Sequence, residues 1–167
     1  GDDSAPHVAS SRQATLVVRK EAVCEQINTH HINPYYQSDL LLPERVKATL
    51  DPEAAFRDAD FIFHAIPVQY SRESLSKVAH LIPSDVPVVS LSKGIETSSL
   101  KMMSELLPEL LGEDRPFAYL SGPSFAAEIV QGMATAVTVA SVRAHRAHRA
   151  IRATRPTVGT AEGALTT

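Results

Sequence analysis

The chain has 167 residues, 44% hydrophobic and 21% charged, with a formal net charge of -3 and only 5% aromatic residues, none of them Trp. That composition suits one α/β domain with an aliphatic core, and no apolar run approaches the ~20 residues that a bilayer-spanning helix needs. Cys24 is the only cysteine, so an internal disulfide is excluded and a reducing compartment fits; residues 1–13 lack the apolar centre of a signal peptide, and a soluble protein is expected.

Residues 1–13 are polar and are expected to be a disordered leader. Residues 14–18 read as a strand ending at Arg19-Lys20, and residues 21–32 as a helix with Val23, Ile27 and Cys24 toward one face. A loop with two prolines, 33–43, leads to a short strand at 45–50. Asp51-Pro52-Glu53 then supplies a helix cap, a Pro at the first helical position and an acid in the first turn, predicting a helix to about Asp58. The run Phe61-Ile62-Phe63-His64-Ala65-Ile66 is the strongest strand, closed by Pro67. With no second ligand at metal spacing, His64 reads as a satisfied core residue. A helix at 71–81, a strand at 86–91, a helix at 98–111, a strand at 117–120, a helix at 124–130 and a strand at 135–140 follow. Strand and helix alternate throughout, which predicts parallel βαβ units.

Two turns at strand carboxyl ends concentrate the chemistry: Ser92-Lys93-Gly94-Ile95-Glu96 and Ser121-Gly122-Pro123-Ser124-Phe125-Ala126. Ligands of open α/β sheets bind at such ends, so the two could share one anion pocket. If Pro123 opens a helix, the following N–H groups face an anion, Gly122 admits close backbone approach and Ser124 adds a hydroxyl. An ordinary capped helix start would look the same, and a turn lysine is commonly only solvated. Lys93 nevertheless stands where a flexible point charge could reach the neighbouring turn.

Arg19-Lys20 fall where the second strand of a dinucleotide-binding fold would end, and a base there accommodates a ribose 2′-phosphate; exposed charges at a strand end are an equal reading. The seven glycines, at 1, 94, 112, 122, 132, 159 and 163, contain no G-x-G-x-x-G. Residues 142–167 hold five arginines against one acid, for +4, leaving -7 on the remaining 141 residues. Arginine at every third position advances about 300° per step on a helix and makes no single stripe. This low-complexity basic tail is therefore expected to be poorly packed, and nucleic acid is not expected as a partner.

From residue 14 to 141 the chain resembles the N-terminal domain of NAD(P)-dependent glycerol-3-phosphate dehydrogenase, with features closest to the plant and algal branch. The resemblance rests on Ile27-Asn28 with Asn33-Pro34-Tyr35-Tyr36, Leu42-Pro43 before Val46-Lys47-Ala48-Thr49, Asp58-Ala59-Asp60 opening a strand that ends Ala65-Ile66-Pro67-Val68-Gln69-Tyr70, both turns above, and Ala134-Thr135-Ala136-Val137. It implies a Rossmann-type parallel sheet with flanking helices, and hydride transfer between a nicotinamide and the carbonyl carbon of dihydroxyacetone phosphate, giving sn-glycerol 3-phosphate. It further implies Lys93, Gly122 and Ser124 at a small phosphorylated substrate, and Arg19, Tyr70, Lys93 and Ala126 at NAD or NADP, with Arg19 at the adenosine ribose. No metal is implied.

The first strand with its glycine-rich turn, and the helical C-terminal domain with the family's catalytic lysine, have no counterpart in the 167 residues. No catalytic residue is therefore assigned. The expected organisation is a leader at 1–13, a partial dinucleotide-binding domain at 14–141 and the tail at 142–167. Because the first strand is central in a 3-2-1-4-5-6 sheet, its neighbours should show unpaired inner edges and uncovered apolar area. A fragment inactive by itself is expected, cytoplasmic or plastidic in setting, from a full-length enzyme for which a homodimer is compatible. A β-hydroxyacid or 6-phosphogluconate type of dehydrogenase would carry a G-x-S-G-G turn, and none occurs. The other reading is a non-catalytic phosphate-binding or interaction protein derived from the same fold.

Overall fold

The structure is a computed structural model that describes residues 13–125, 128–129, 133 and 136–141. The leader through residue 12, Ala126 and the tail from residue 142 lie outside the described residues. The chain falls into two compact units, Gly1–Ala55 and Phe56–Thr167.

In the first unit, β1 (Ala14–Val17) runs parallel to β2 (Val46–Thr49) with Ala14 opposite Val46. Between them lie α1 (Glu21–Glu25) and one π-helical turn, Gln26–His30, which ends at His31 in the left-handed region at φ 56. Val23, Ile27 and Ala48 form the small core, with Ile27 fully buried. Asn28 ties the helical segment to the strand: its side-chain amide donates to the Ala48 carbonyl at 2.9 Å, and its carbonyl oxygen accepts the Ala48 N–H at 2.8 Å. One side chain thus continues the hydrogen bonding of β2.

α2 (Pro52–Arg57) begins as expected, with Asp51 Oδ1 accepting the N–H groups of Glu53 at 2.9 Å and Ala54 at 3.2 Å. The second unit then builds a four-stranded sheet in the order β3 (Ile62–His64), β4 (Val88–Ser90), β7 (Phe117–Ser121), β8 (Thr138–Ala140). β3, β4 and β7 are parallel, with α3 (Val68–Val78) and α4 (Met103–Leu111) in the connections. Val68, Leu75, Ile82, Val88, Met103, Leu106, Leu107 and Phe117 fill the core between helices and sheet.

Four expectations are corrected. α3 starts at Val68, not Ser71, because Pro67 at φ -53 is preset for the position just before a helix. The helix expected over 98–111 starts only at Met103. Residues ahead of it form an antiparallel hairpin of β5 (Ile95–Glu96) and β6 (Lys101–Met102), reversed through Leu100 at φ 60. Ser124 and Phe125 are not helical, although residues 128–129 are. Finally, β8 is antiparallel to β7, pairing Ser121 with Thr138 and Tyr119 with Ala140. The chain folds back on itself beyond Gly122, and an antiparallel edge strand completes an otherwise parallel sheet.

Among the described residues β1 pairs only with β2, and β3 only with β4, so each keeps one edge without a strand. Apolar side chains on these strands stay in contact with water: Leu16 is 38% exposed, Val17 44% and Phe63 52%.

Candidate functional site: two turns at strand carboxyl ends

Lys93 lies three residues past β4. Its turn is fastened from behind by Ser92, whose hydroxyl donates to the Ile66 carbonyl at 2.5 Å, and by the Leu91 N–H, which donates to the His64 carbonyl at 2.9 Å. Gly94 at φ 103 lies in the left-handed region, which disfavours any side chain there, and lets the chain turn tightly into β5.

The hairpin after the turn is held by α3. Gln69 donates from Nε2 to the Ile95 carbonyl at 2.8 Å and accepts at Oε1 from the Thr97 N–H at 3.0 Å and the Thr97 hydroxyl at 2.9 Å. Arg72 donates from Nε to Glu96 Oε1 at 3.0 Å and from Nη2 to Oε2 at 2.9 Å, while its Nη1 reaches Glu109 on α4 at 2.6 Å. Ser99 donates a hydrogen bond to Glu96, and Lys101 bonds Glu109 at 2.6 Å. The Arg72 and Ser99 donors hold the Glu96 carboxyl below its ordinary range. Arg72 and Lys101 together pull that of Glu109 down to about 2, and the two carboxylates raise Arg72. None of Gln69, Arg72 or Glu96 was singled out as functional from sequence, though Gln69 and Glu96 stand inside the two motif segments quoted above.

The second turn follows β7 directly. Gly122 is required by crowding: a Cβ there would collide with the Ala136 carbonyl oxygen and lie 2.9 Å from Val137 Cα. The structure brings the two turns together, because Lys93 Nζ donates to the Gly122 carbonyl at 3.2 Å across 29 residues of sequence. Of the N–H groups expected to face an anion after Pro123, that of Ser124 is taken, since it donates to the Gly122 carbonyl at 2.9 Å; the Lys93 ammonium on the same carbonyl retains two further N–H donors for an oxyanion. The Ser124 hydroxyl is half-buried beside the same carbonyl.

His64 is a satisfied core residue, as expected: its Nε2 pairs with the Ser71 hydroxyl at 2.9 Å, and burial lowers its pKa. Burial likewise pushes the Tyr119 phenol up to about 12. Tyr70 lies on the first turn of α3 and is 62% exposed. Arg19 belongs to the first unit, exposed just past β1 beside Lys20. No group of three or more metal-ligating side chains occurs among the described residues, and no helix there is long and apolar enough to cross a membrane.

Parallel strands joined by helices, with polar turns gathered at their carboxyl ends, define a Rossmann-like α/β domain. A family model for the NAD-dependent glycerol-3-phosphate dehydrogenase N-terminus matches residues 5–147, and the chain belongs to that family. It is 43% identical over 145 residues to the chloroplastic glycerol-3-phosphate dehydrogenase 2 of Arabidopsis thaliana, named for NAD(+), covering 84% of this chain and 34% of that protein. It is 42% identical over 127 residues to the glycerol-3-phosphate dehydrogenase of Corynebacterium aurimucosum, named for NAD(P)+, covering 75% of this chain and 38% of that one. The crystal structure of the Coxiella burnetii glycerol-3-phosphate dehydrogenase superposes with a TM-score of 0.78 at 23% identity, over 87% of this chain and 44% of that chain, and shares the fold. The chain thus spans about a third of the length of these curated relatives.

Proposed function

We propose that this chain is the cofactor- and substrate-phosphate-binding part of an NAD(P)-dependent glycerol-3-phosphate dehydrogenase, which interconverts dihydroxyacetone phosphate and sn-glycerol 3-phosphate. The observation that carries this reading is the 3.2 Å contact of Lys93 Nζ with the Gly122 carbonyl, which joins the turns after two adjacent parallel strands. In this reading Lys93, Gly122 and Ser124 hold the substrate. The ammonium offers its remaining donors to the substrate oxygens, Gly122 keeps a side chain out of the turn, and the Ser124 hydroxyl, which donates to the Gly122 carbonyl at 3.5 Å, offers its oxygen as an acceptor to a substrate hydroxyl. A fixed lysine beside a carbonyl oxygen also stabilises negative charge that develops there.

The residues present suit a nicotinamide dinucleotide: Arg19 and Lys20 offer positive charge past the end of β1, and Tyr70, Lys93 and Ala126 are assigned to it from the second unit. When bound, that cofactor would supply or accept the hydride. This chain's own part is to bind and orient, since no residue of it is assigned to proton transfer. Residues 14–141 form the partial dinucleotide-binding domain, with residues 1–13 as leader and 142–167 as a basic tail. By itself the chain should be catalytically silent, and a homodimer belongs to the full-length enzyme. The setting is cytoplasmic, or plastidic as in the plant relatives' names.

Ligand-observed NMR of the 167-residue chain with glycerol 3-phosphate, and with glycerol as control, tests the reading. Binding of the phosphate ester alone, lost in Lys93→Met, is expected. Equal signals for both ligands would overturn it, whereas NADH oxidation with dihydroxyacetone phosphate by the purified chain would overturn only its catalytic silence.

A further inference from the structure

We propose that Gln69 is a positioning residue for Lys93: its side-chain amide fixes the far end of the short span that carries the lysine, and so sets where the ammonium meets a substrate phosphate. The inference rests on the reading above that Lys93 binds a phosphate ester, and goes beyond it in naming what places that lysine.

Lys93 and Gly94 form a two-residue span pinned at both ends. On the near side the Ser92 hydroxyl donates to the Ile66 carbonyl at 2.5 Å, and on the far side the Ile95 carbonyl accepts from Gln69 Nε2 at 2.8 Å. Both pins belong to one stretch of chain, Ile66 to Gln69, which runs into the first turn of α3. Gly94, at φ 103 between them, brings a backbone freedom that the pins must remove. The hairpin that follows cannot remove it alone, because β5 and β6 have two residues each and an isolated two-stranded hairpin is marginal in water.

Gln69 suits this place by its chemistry. Its Oε1 accepts from the Thr97 N–H at 3.0 Å and the Thr97 hydroxyl at 2.9 Å, while its Nε2 serves the Ile95 carbonyl. The hairpin thus presents an acceptor and a pair of donors two residues apart, and a primary amide answers both; a carboxylate would face the Ile95 carbonyl with no donor. The amide is also neutral, so it places the lysine without neutralising it. Glu96, the other hold of α3 on the hairpin, is buried with Arg72 against it, and its loss would disturb packing. Gln69 is exposed, so its loss should spare the fold.

Reductive methylation of the full 167-residue chain, read at each lysine by mass spectrometry with and without glycerol 3-phosphate, tests the role. In the parent the ester is expected to protect Lys93, with Lys47 of the first unit as the unprotected internal reference. Gln69→Met keeps the side chain's length and loses its hydrogen bonds. It should raise the ligand concentration that half-protects Lys93 roughly three- to tenfold, the worth of one hydrogen bond. It should also speed methylation of Lys93 relative to Lys47 in the absence of ligand, because the amine leaves the Gly122 carbonyl more often, and it should leave the melting temperature unchanged. Parent-like values in Gln69→Met would overturn this proposal alone. So would a shift in half-protection with an unchanged ligand-free rate, the mark of a direct ligand contact, or one accompanied by a lower melting temperature, the mark of a purely structural role. No protection of Lys93 in the parent would overturn the phosphate-binding reading and this inference together.

Discussion

Lys93 touches a carbonyl rather than a carboxylate, so its charge is positioned without being neutralised. Removing it should therefore cost binding and leave the fold intact. For Lys93→Met we expect glycerol 3-phosphate affinity to fall roughly 10- to 100-fold, the worth of one or two charge-assisted hydrogen bonds, with an unchanged melting temperature; a fall in melting temperature of equal consequence would make the lysine structural. Gly122 works by the opposite means, since it contributes only the absence of a side chain. Gly122→Ala forces a Cβ onto the backbone of Ala136 and Val137, and overpacking of this kind costs about 1–3 kcal/mol. Both thermal stability and phosphate binding should drop, and an unaltered melting curve would show that the turn yields freely. These two residues were legible in the sequence because their types announce themselves at strand ends. Gln69, Arg72 and Glu96 were not, because Arg72 and Glu96 meet across 24 positions and nothing in either local pattern announces the other.

α4 carries both the core and the clamp on the site. Leu106 and Leu107 are fully buried, and Glu109, one turn further on, anchors Arg72 and Lys101. Truncation of Leu106 to Ala should cost about 2–5 kcal/mol, as methylene loss in a closed core does, and chemical denaturation measures it directly. The clamp adds a pH dependence whose sign is fixed. Glu109 lies well below its ordinary value of 4.5, at about 2, so its contribution is present above pH 4.5 and is lost as the pH falls from 4.5 to about 2. Glu96 is shifted in the same direction. Acid titrations of the parent and of Glu109→Gln, followed by circular dichroism, should therefore diverge in that window, with the parent losing more stability; parallel curves would mean the ion pairs are solvated and contribute little. The antiparallel hairpin that this clamp holds was invisible in a stretch reading as helix, because the left-handed conformation of Leu100 is set by its surroundings and not by its residue type.

At the scale of the whole molecule, the edges of β1 and β3 that have no strand partner among the described residues stand beside exposed apolar side chains, including Val17 and Phe63. Such edges template further strand pairing. The purified chain should self-associate with rising concentration, which light scattering after size exclusion will show. Val17→Lys, placing charge on the exposed strand, should reduce that association. A parent chain that stays monomeric across the concentration range would show that the edges are covered.

Alternating apolar runs and amphipathic stretches were enough, without tertiary information, to determine a parallel α/β fold and to locate the two turns at strand ends, while the motif residues carried the resemblance to the family. Those signals are local, or repeat at a fixed period, and so survive reading one segment at a time. Tertiary structure decided which donors remain for a ligand: it consumed the Ser124 N–H on the Gly122 carbonyl, brought Lys93 to that same carbonyl, and reversed the direction of β8. It also seated Lys20 on Tyr35, 15 positions away. A side chain's partners depend on which distant backbone arrives beside it, and that is settled only when the sheet and its connections close.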